Sequence, residues 1–314
     1  MQPQITIVLA SFNGARFLPA QLDSILSQTL TNWRLIVSDD GSQDGTQAVI
    51  ADYAGRADGR ITLIEGPGRG ATANFLHLIR KADPAGWIAF CDQDDVWKRD
   101  KLARAAEFLT GQDGPAVYAA RTTVCDEQLQ ELAPAPHFPG PFGFPNALIQ
   151  ACLPGNTTVA NAAALTILQH GAAAADAAGI ISHDWWNYLL LSGAGARIHR
   201  DAAQVLLYRQ HPRNVMGRND TARARAARAS MLFDGSFANW LRRNHSALLP
   251  AKDLLTPENR QLLDRFGAFL DAPGYRALAQ MRSMGLYRQT RAGTAAVMAA
   301  ALAGRLRARP DQRS

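Results

Sequence analysis

Ile5-Thr6-Ile7-Val8-Leu9-Ala10-Ser11-Phe12-Asn13-Gly14 is the stretch on which the fold turns. Its first six residues form a short, β-branched apolar run with no polar alternation. That is the pattern of a strand buried on both faces, as in a parallel sheet covered by helices. Turn-forming residues then end it. Working outward, Leu18, Leu22, Ile25, Leu26 and Leu30 follow at helical spacing. Arg34 to Ser38 reads as a second strand, and Asp44-Gly45-Thr46 opens a helix carrying Val49, Ile50 and Tyr53. Ile61 to Ile64 reads as a third strand, followed by a Gly-rich turn and a helix with Phe75, Leu76, Leu78 and Ile79. Trp87 to Cys91 is a fourth strand, Leu102 to Leu109 a helix and Val117 to Ala120 a fifth strand. Such alternation predicts an α/β fold: a mainly parallel sheet flanked by helices.

Five prolines between Pro134 and Pro145 mark a loop. Beyond it, Thr157 to Val159 reads as a strand, Ala162 to Ala178 and Trp185 to Leu191 as helices, and Gln204 to Tyr208 as a strand. The pattern after residue 216 is helical and Arg-rich. The expected organisation is therefore an α/β domain over 1–215 and a helical C-terminal extension over 216–314.

The chain has 314 residues, 47% hydrophobic and 19% charged, which excludes wholesale disorder. Residues 1–215 hold 16 basic and 20 acidic residues, a net of −4, and residues 216–314 hold 17 and 7, a net of +10. An acidic front half argues for no nucleic acid as partner. The basic tail suits an anionic surface, such as peripheral contact with a membrane. Leu278, Met281, Met284, Leu286, Val297, Met298, Leu302 and Leu306 would supply the apolar face of such a region. No apolar run reaches the roughly 18–20 residues that span a bilayer. Cys91, Cys125 and Cys152 form no CxxC pair, so neither a structural zinc nor a disulfide framework is expected. Free thiols and the lack of a secretory pattern point to the cytoplasm, with the inner face of the cytoplasmic membrane as the site of any peripheral contact.

Ligands of open α/β sheets bind at the carboxyl ends of the strands. The first strand ends in Ala10-Ser11-Phe12-Asn13-Gly14 and the second in Asp39-Asp40-Gly41-Ser42-Gln43-Asp44-Gly45-Thr46. The fourth ends in Asp92-Gln93-Asp94-Asp95. By itself the second run suits a turn and helix cap. The fourth is different, because three carboxylates in four positions repel one another. A cation or raised pKa values relieve such a cluster. Oxygen ligands suit Mg²⁺ or Mn²⁺ bridging to a substrate diphosphate. No GxxxxGK[ST] is present, and no GxGxxG follows the first strand.

The runs Ile7 to Gly14, Asp39 to Thr46 and Asp92-Gln93-Asp94-Asp95-Val96-Trp97 resemble the family 2 glycosyltransferases of GT-A, Rossmann-like fold, and in particular their bacterial rhamnosyltransferase-like members. Pro154-Gly155-Asn156-Thr157-Thr158, His183-Asp184-Trp185-Trp186, and Tyr208-Arg209-Gln210-His211 with Asn214 extend the resemblance. The tail segment Gly285-Leu286-Tyr287-Arg288-Gln289-Thr290-Arg291 is similar to that subgroup as well. By this resemblance Ala10, Ser11 and Asn13 line a nucleotide pocket, and Asp39 or Asp40 accepts the N3–H of a pyrimidine base. Asp92 and Gln93 belong to the donor side, with Asp92 near the ribose. Asp94, Asp95 and His211 approach the metal and diphosphate. Asp184 matches the general base. Gly155, Asn156 and Thr157 shape the acceptor side. Trp185 and Trp186 stand there too, as core aromatics or as faces for a sugar ring.

The resemblance implies an inverting, metal-dependent transfer of a sugar from a nucleoside-diphosphate donor to a surface polysaccharide or lipid-linked oligosaccharide. dTDP-rhamnose leads as donor and a UDP-hexose is its rival. A nucleotidyltransferase or phosphatase could also place carboxylates after parallel strands, but the former expects a Gly-rich loop where Ala10 to Gly14 stands. A non-catalytic sugar-nucleotide binder expects loss of the metal or base carboxylates, and all are present.

Overall fold

The computed structural model describes residues 3–211 and 230–307. Asn214 and the expected boundary at 215–216 lie outside the described residues. The chain divides into two compact units. The first comprises Met1–His137, Leu153–Ala172 and Ala196–Val215; the second comprises Phe138–Cys152, Ala173–Gly195 and Met216–Ser314.

The first unit holds the sheet. Strands β1 (Ile5–Ser11), β2 (Trp33–Asp39), β3 (Ile61–Glu65) and β4 (Trp87–Cys91) pair in parallel in the order β3-β2-β1-β4. Ile5, Ile7, Val8 and Leu9 are fully buried, as the unbroken apolar run predicts. Helices α1 (Leu18–Leu26), α2 (Thr46–Arg56) and α3 (Ala71–Lys81) connect these strands. Leu18, Leu22 and Ile25 of α1 and Ile50 of α2 enter the same core as Ile7, Leu35 and Val37.

Past β4 the sheet becomes mixed. β5 (Val96–Trp97) is followed by α4 (Lys101–Leu109), the long β6 (Ala116–Cys125) and β7 (Glu131–Pro134). After a single 3₁₀ turn at Gly155–Thr157 comes β8 (Val159–Ala160), and later β9 (Arg197–Arg209). β8 runs antiparallel to both β4 and β6, β9 runs parallel to β6, and β5 pairs antiparallel with β9. Asn161 fixes the exit from β8. Its Oδ1 accepts from the Ala116 and Ala164 N–H groups at 3.0 Å each, and its Nδ2 donates to the Gly114 carbonyl at 2.8 Å.

The second unit is helical among its described residues. It takes α5 (Phe144–Ala147), α7 (His183–Gly193), α8 (Ser236–Leu248), α9 (Pro257–Asp271), α10 (Gly274–Ser283) and α11 (Arg291–Leu302). α6 (Ala162–Ala178) begins in the first unit and ends in the second. Close approach sets two glycines. A Cβ on Gly193 would lie 2.7 Å from Leu255 Cδ2, and one on Gly274 only 1.9 Å from the Leu302 carbonyl oxygen. Met281, Met284, Leu286, Val297 and Leu306, expected on an amphipathic face, are buried in this unit, whereas Leu302 is 54% exposed. No described helix is long and apolar enough to cross a membrane.

Candidate functional site

The register of the parallel strands assembles the first part of the site. Ser11 ends β1 directly opposite Asp39 at the end of β2. Ser11 Oγ donates to Asp39 Oδ1 at 3.0 Å. The same carboxylate accepts from the Ser42 hydroxyl at 2.5 Å, the Ser42 N–H at 3.0 Å and Gln47 Nε2 at 2.8 Å. Burial pushes the Asp39 carboxyl up, but the bonds from Ser42, Gln47 and Ser11 outweigh it and hold its pKa below the ordinary value. Asp40 faces the other way and is only half-buried. Its two oxygens accept from the Gly68 and Gly70 N–H groups at 2.7 Å each, which ties down the Gly-rich turn after β3.

The loop after β1 is held from two sides. Asn13 takes a left-handed backbone conformation, with φ 47°. Its N–H donates to Ser42 Oγ at 2.8 Å, and its Oδ1 accepts from the Gln43 N–H at 2.9 Å. Gly14 N–H donates to Thr46 Oγ1 at 2.8 Å and Ala15 N–H to Asp44 Oδ2 at 3.1 Å. From the β4 side, Gln93 brackets Phe12: its Oε1 accepts the Phe12 N–H at 2.9 Å and its Nε2 donates to the Phe12 carbonyl at 3.1 Å. A Cβ on Gly14 would lie 2.3 Å from that Oε1, so glycine is needed for the clamp to close.

The carboxylates after β4 separate into different environments. Asp92 is half-buried at the strand end. Asp94 Oδ2 lies 2.7 Å from His211 Nε2, and the ring of His211 stacks on Phe17 at 4.8 Å between centroids. Arg209, the last residue of β9, binds the Asp94 carbonyl through Nε at 2.8 Å and the Glu127 carbonyl through NH1. Asp95 is fully buried. Its Oδ2 accepts from Asn156 Nδ2 at 2.6 Å and its Oδ1 from the Arg209 N–H at 3.3 Å. Burial, and then the charges of Asp94 and Asp92, push the Asp95 carboxyl well above the ordinary carboxylate range. Gly155 and Thr157 are buried beside Asn156, and the Thr157 hydroxyl accepts from the Ala120 N–H at 3.1 Å.

Lys101 is a functional-site neighbour that sequence reasoning missed. It opens α4 and is fully buried, with Nζ 3.0 Å from the centroid of the Trp97 ring and without a hydrogen-bond partner. Burial lowers its pKa to about 7, against the opposing pull of Cys91, Asp95 and Asp92. A lysine at the start of an amphipathic helix carries no sequence signal of burial. Ser42, Asp44 and Thr46 lie in the run that carries the family resemblance, but nothing in the sequence gives them individual partners.

The remaining expected residues lie in the second unit. Asp184 sits in the first turn of α7, where its Oδ1 accepts from the Ser182 hydroxyl and from the Trp185 N–H, the latter at 2.8 Å. Burial holds the adjacent His183 down at about 4, although the Asp184 carboxylate opposes this. Trp186 is fully buried. Trp185 is nearly so, its Nε1 donating to the Ala147 carbonyl at 2.7 Å and its ring packing on Phe237 and Trp240. Neither ring presents an open face.

Asp94 and His211 offer one oxygen and one nitrogen side by side, a donor set that suits Mn²⁺ or Mg²⁺ with further ligands from a diphosphate. Among the described residues no group of three His, Cys, Asp or Glu side chains converges as a metal cage.

A sequence model of glycosyl transferase family 2 matches residues 6–164, from β1 through the carboxylate cluster into α6. The chain belongs to this family. It is a glycosyltransferase, and Asp184 and His211 lie beyond the matched segment. It is 26% identical over 233 residues to the dTDP-rhamnosyl transferase RfbG of Shigella flexneri, covering 71% of this chain and 78% of that protein. It is 33% identical over 98 residues to the UDP-Glc:alpha-D-GlcNAc-diphosphoundecaprenol beta-1,3-glucosyltransferase WfgD of Escherichia coli. That match covers 31% of this chain and 38% of WfgD. Among solved structures, the mannosyltransferase PcManGT of Pyrobaculum calidifontis, in complex with GDP-Man and Mn²⁺, superposes with a TM-score of 0.51 at 18% identity. It covers 97% of this chain and 86% of that one, and it shows the shared GT-A fold.

Proposed function

We propose that this glycosyltransferase moves a sugar, rhamnose before a hexose, from a nucleoside-diphosphate donor to an acceptor hydroxyl with inversion. The observation that carries the reading is the pairing of Asp94 with His211 at the end of β4, in the same unit as the Ser11–Asp39 network. The name of RfbG supports dTDP-rhamnose as donor. That of WfgD supports a lipid-linked diphosphate acceptor, and the PcManGT complex supports a divalent ion.

Ala10, Ser11 and Asn13, kept in place by Gln93, form the wall for the nucleotide. Asp39 spends both oxygens on its neighbours and shapes that wall from behind; Asp40 and Asp92 complete the donor side. Asp94 and His211 would hold Mn²⁺ or Mg²⁺, with Asp95 fixing their loop, and an ion there would offset negative charge on the leaving diphosphate. Asp184 takes the proton of the acceptor hydroxyl. It has an oxygen left for this, since the bonds it receives from Ser182 and Trp185 fall on Oδ1. One base-assisted attack then displaces the diphosphate and inverts the anomeric carbon. Gly155, Asn156 and Thr157 serve the acceptor side indirectly, through Asp95 and β6, and the two tryptophans hold α7.

Asp94→Asn and Asp184→Asn test the assignment together. Both Asn variants are nearly isosteric with the parent. Asp184→Asn should keep donor affinity by calorimetry and lower the initial transfer rate by roughly 10²–10⁴-fold. Asp94→Asn should weaken donor binding and remove most of its Mn²⁺ dependence. Wild-type transfer by Asp184→Asn would reduce that residue to a helix cap. Unchanged metal-assisted affinity in Asp94→Asn would remove it from the metal site.

A further inference from the structure

The segment Gly285–Arg291 has no part in the chemistry above, yet it walls a cavity of about 420 Å³ in the helical unit. Pro141, Tyr287, Arg288, Gln289, Arg291 and Met298 are among its lining residues. The wall is tied down by a series of hydrogen bonds. Tyr287 Oη and Gln289 Nε2 both donate to the Pro141 carbonyl, at 2.9 and 2.7 Å. The Tyr287 carbonyl accepts from Asn146 Nδ2 at 2.9 Å, and Gln289 N–H donates to Gln150 Oε1 at 2.8 Å. Arg288 N–H donates to Thr294 Oγ1 at 2.9 Å, which fixes the turn that presents both arginines.

Three features of this cavity point to an anionic ligand. It is lined by two arginines and by no acidic residue. Three acids of the unit pair with other cations: Asp271 with Arg242, Asp264 with Lys252 and Asp253 with Arg260. Gln289 Oε1 is buried without a hydrogen-bond partner while its amide nitrogen is used, so it lacks a donor that a ligand hydroxyl can supply. Guanidinium groups match phosphate oxygens in both charge and geometry. Pro141, Ala295 and Met298 add an apolar wall beside them.

We propose that this cavity binds the phosphoryl group of a phosphate ester or diphosphate, with Arg288 and Arg291 against its oxygens. The binding does not depend on the roles given to Asp94 and Asp184, so transfer assays do not enter its test. Calorimetry would compare inorganic pyrophosphate, farnesyl phosphate and farnesol on the full chain. Farnesyl phosphate binding more tightly than pyrophosphate would assign the site to a lipid-borne phosphate; the reverse would assign it to a free one. Arg291 is exposed and forms no ion pair among the described residues, so Arg291→Gln should leave the fold intact. That variant, and Arg288→Gln with Arg291→Gln, should each weaken the better phosphate probe by about tenfold or more. UDP binding and the melting temperature should stay unchanged in Arg291→Gln. The proposal is overturned if neither phosphate probe binds saturably, if farnesol binds as well as its phosphate, or if Arg291→Gln binds with wild-type affinity.

Discussion

Lys101 shows how one side chain can record the strain of an acidic site. A buried ammonium without a hydrogen bond is costly, and here it lies near two carboxylates, Asp95 and Asp92, and the Cys91 thiol. Its pKa of about 7 lies below the ordinary lysine value of 10.5. Between those two values the unfolded chain binds the proton and the folded chain does not. Stability therefore rises with pH across this window, by up to about 1.4 kcal/mol per pH unit from this group. Asp95 works in the opposite sense: its raised pKa means that stability falls as pH rises from the ordinary carboxylate range through its folded value. Lys101→Met should abolish this group's contribution to the rise above pH 7. Urea unfolding at pH 7, 8 and 9 measures the difference, and parallel slopes in variant and wild type would contradict it. The residues around this lysine were legible to unequal degrees. Asp92 to Asp95 stood out because like charges cluster there. The clamp of Gln93 on Phe12 did not, since a glutamine after a strand resembles any polar turn until its partner 81 positions away is known.

At the scale of elements, the parallel half of the sheet was legible because each strand is an uninterrupted apolar run with a helix behind it. The other half was legible only in part: the run Val117 to Ala120 falls within β6, and Thr157 to Val159 meets β8 only at Val159. β9 runs from Arg197 to Arg209, but only its apolar end, Gln204 to Tyr208, carried a strand signal. Its first half, Arg197-Ile198-His199-Arg200-Asp201-Ala202-Ala203, is charged and Ala-rich, and pairing with β6 overrides that weak propensity. β5 and β8 have two residues each, too few for any periodicity to show. What fixes such short strands is side-chain hydrogen bonding, and Asn161 is the clearest case. It is 5% exposed and bonds both the edge of β6 and the start of α6. Asn161→Ala would orphan two buried N–H groups at once. A loss of about 2–4 kcal/mol is expected from the usual cost of an unsatisfied buried donor. Denaturant titration tests this, and a loss below about 0.5 kcal/mol would show that the fold supplies other partners.

For the whole molecule, the charge of the tail finds a different use from the one its apolar residues suggested. Most of those residues pack inside the helical unit. Tyr275 and Leu302 instead remain 66% and 54% exposed, and Arg276, Arg305 and Arg307 are exposed on the same two helices and their end. We propose that these groups, rather than the whole tail, mediate peripheral contact with anionic lipid. Each arginine near such a surface contributes about 1 kcal/mol, so Arg276→Gln with Arg305→Gln should reduce liposome affinity roughly 30-fold. Raising the salt from 0.1 to 1 M, which shortens the screening length from about 10 to 3 Å, should mimic the variant. Sedimentation with vesicles containing phosphatidylserine measures both, and salt-insensitive binding would remove the electrostatic contact.

The discontinuous make-up of the helical unit has a consequence for the life of the chain during synthesis. Residues 138–152 and 173–195 belong to this unit, yet they leave the ribosome long before α8 to α11 exist. Until then Trp185, whose ring packs on Phe237 and Trp240 of α8 in the finished protein, lacks those partners. About a hundred further residues must be added, which takes on the order of 5–20 s at ordinary elongation rates. A ribosome stalled in that interval holds a chain with that indole ring uncovered on its α8 side, open to chaperones, proteases or a second nascent copy.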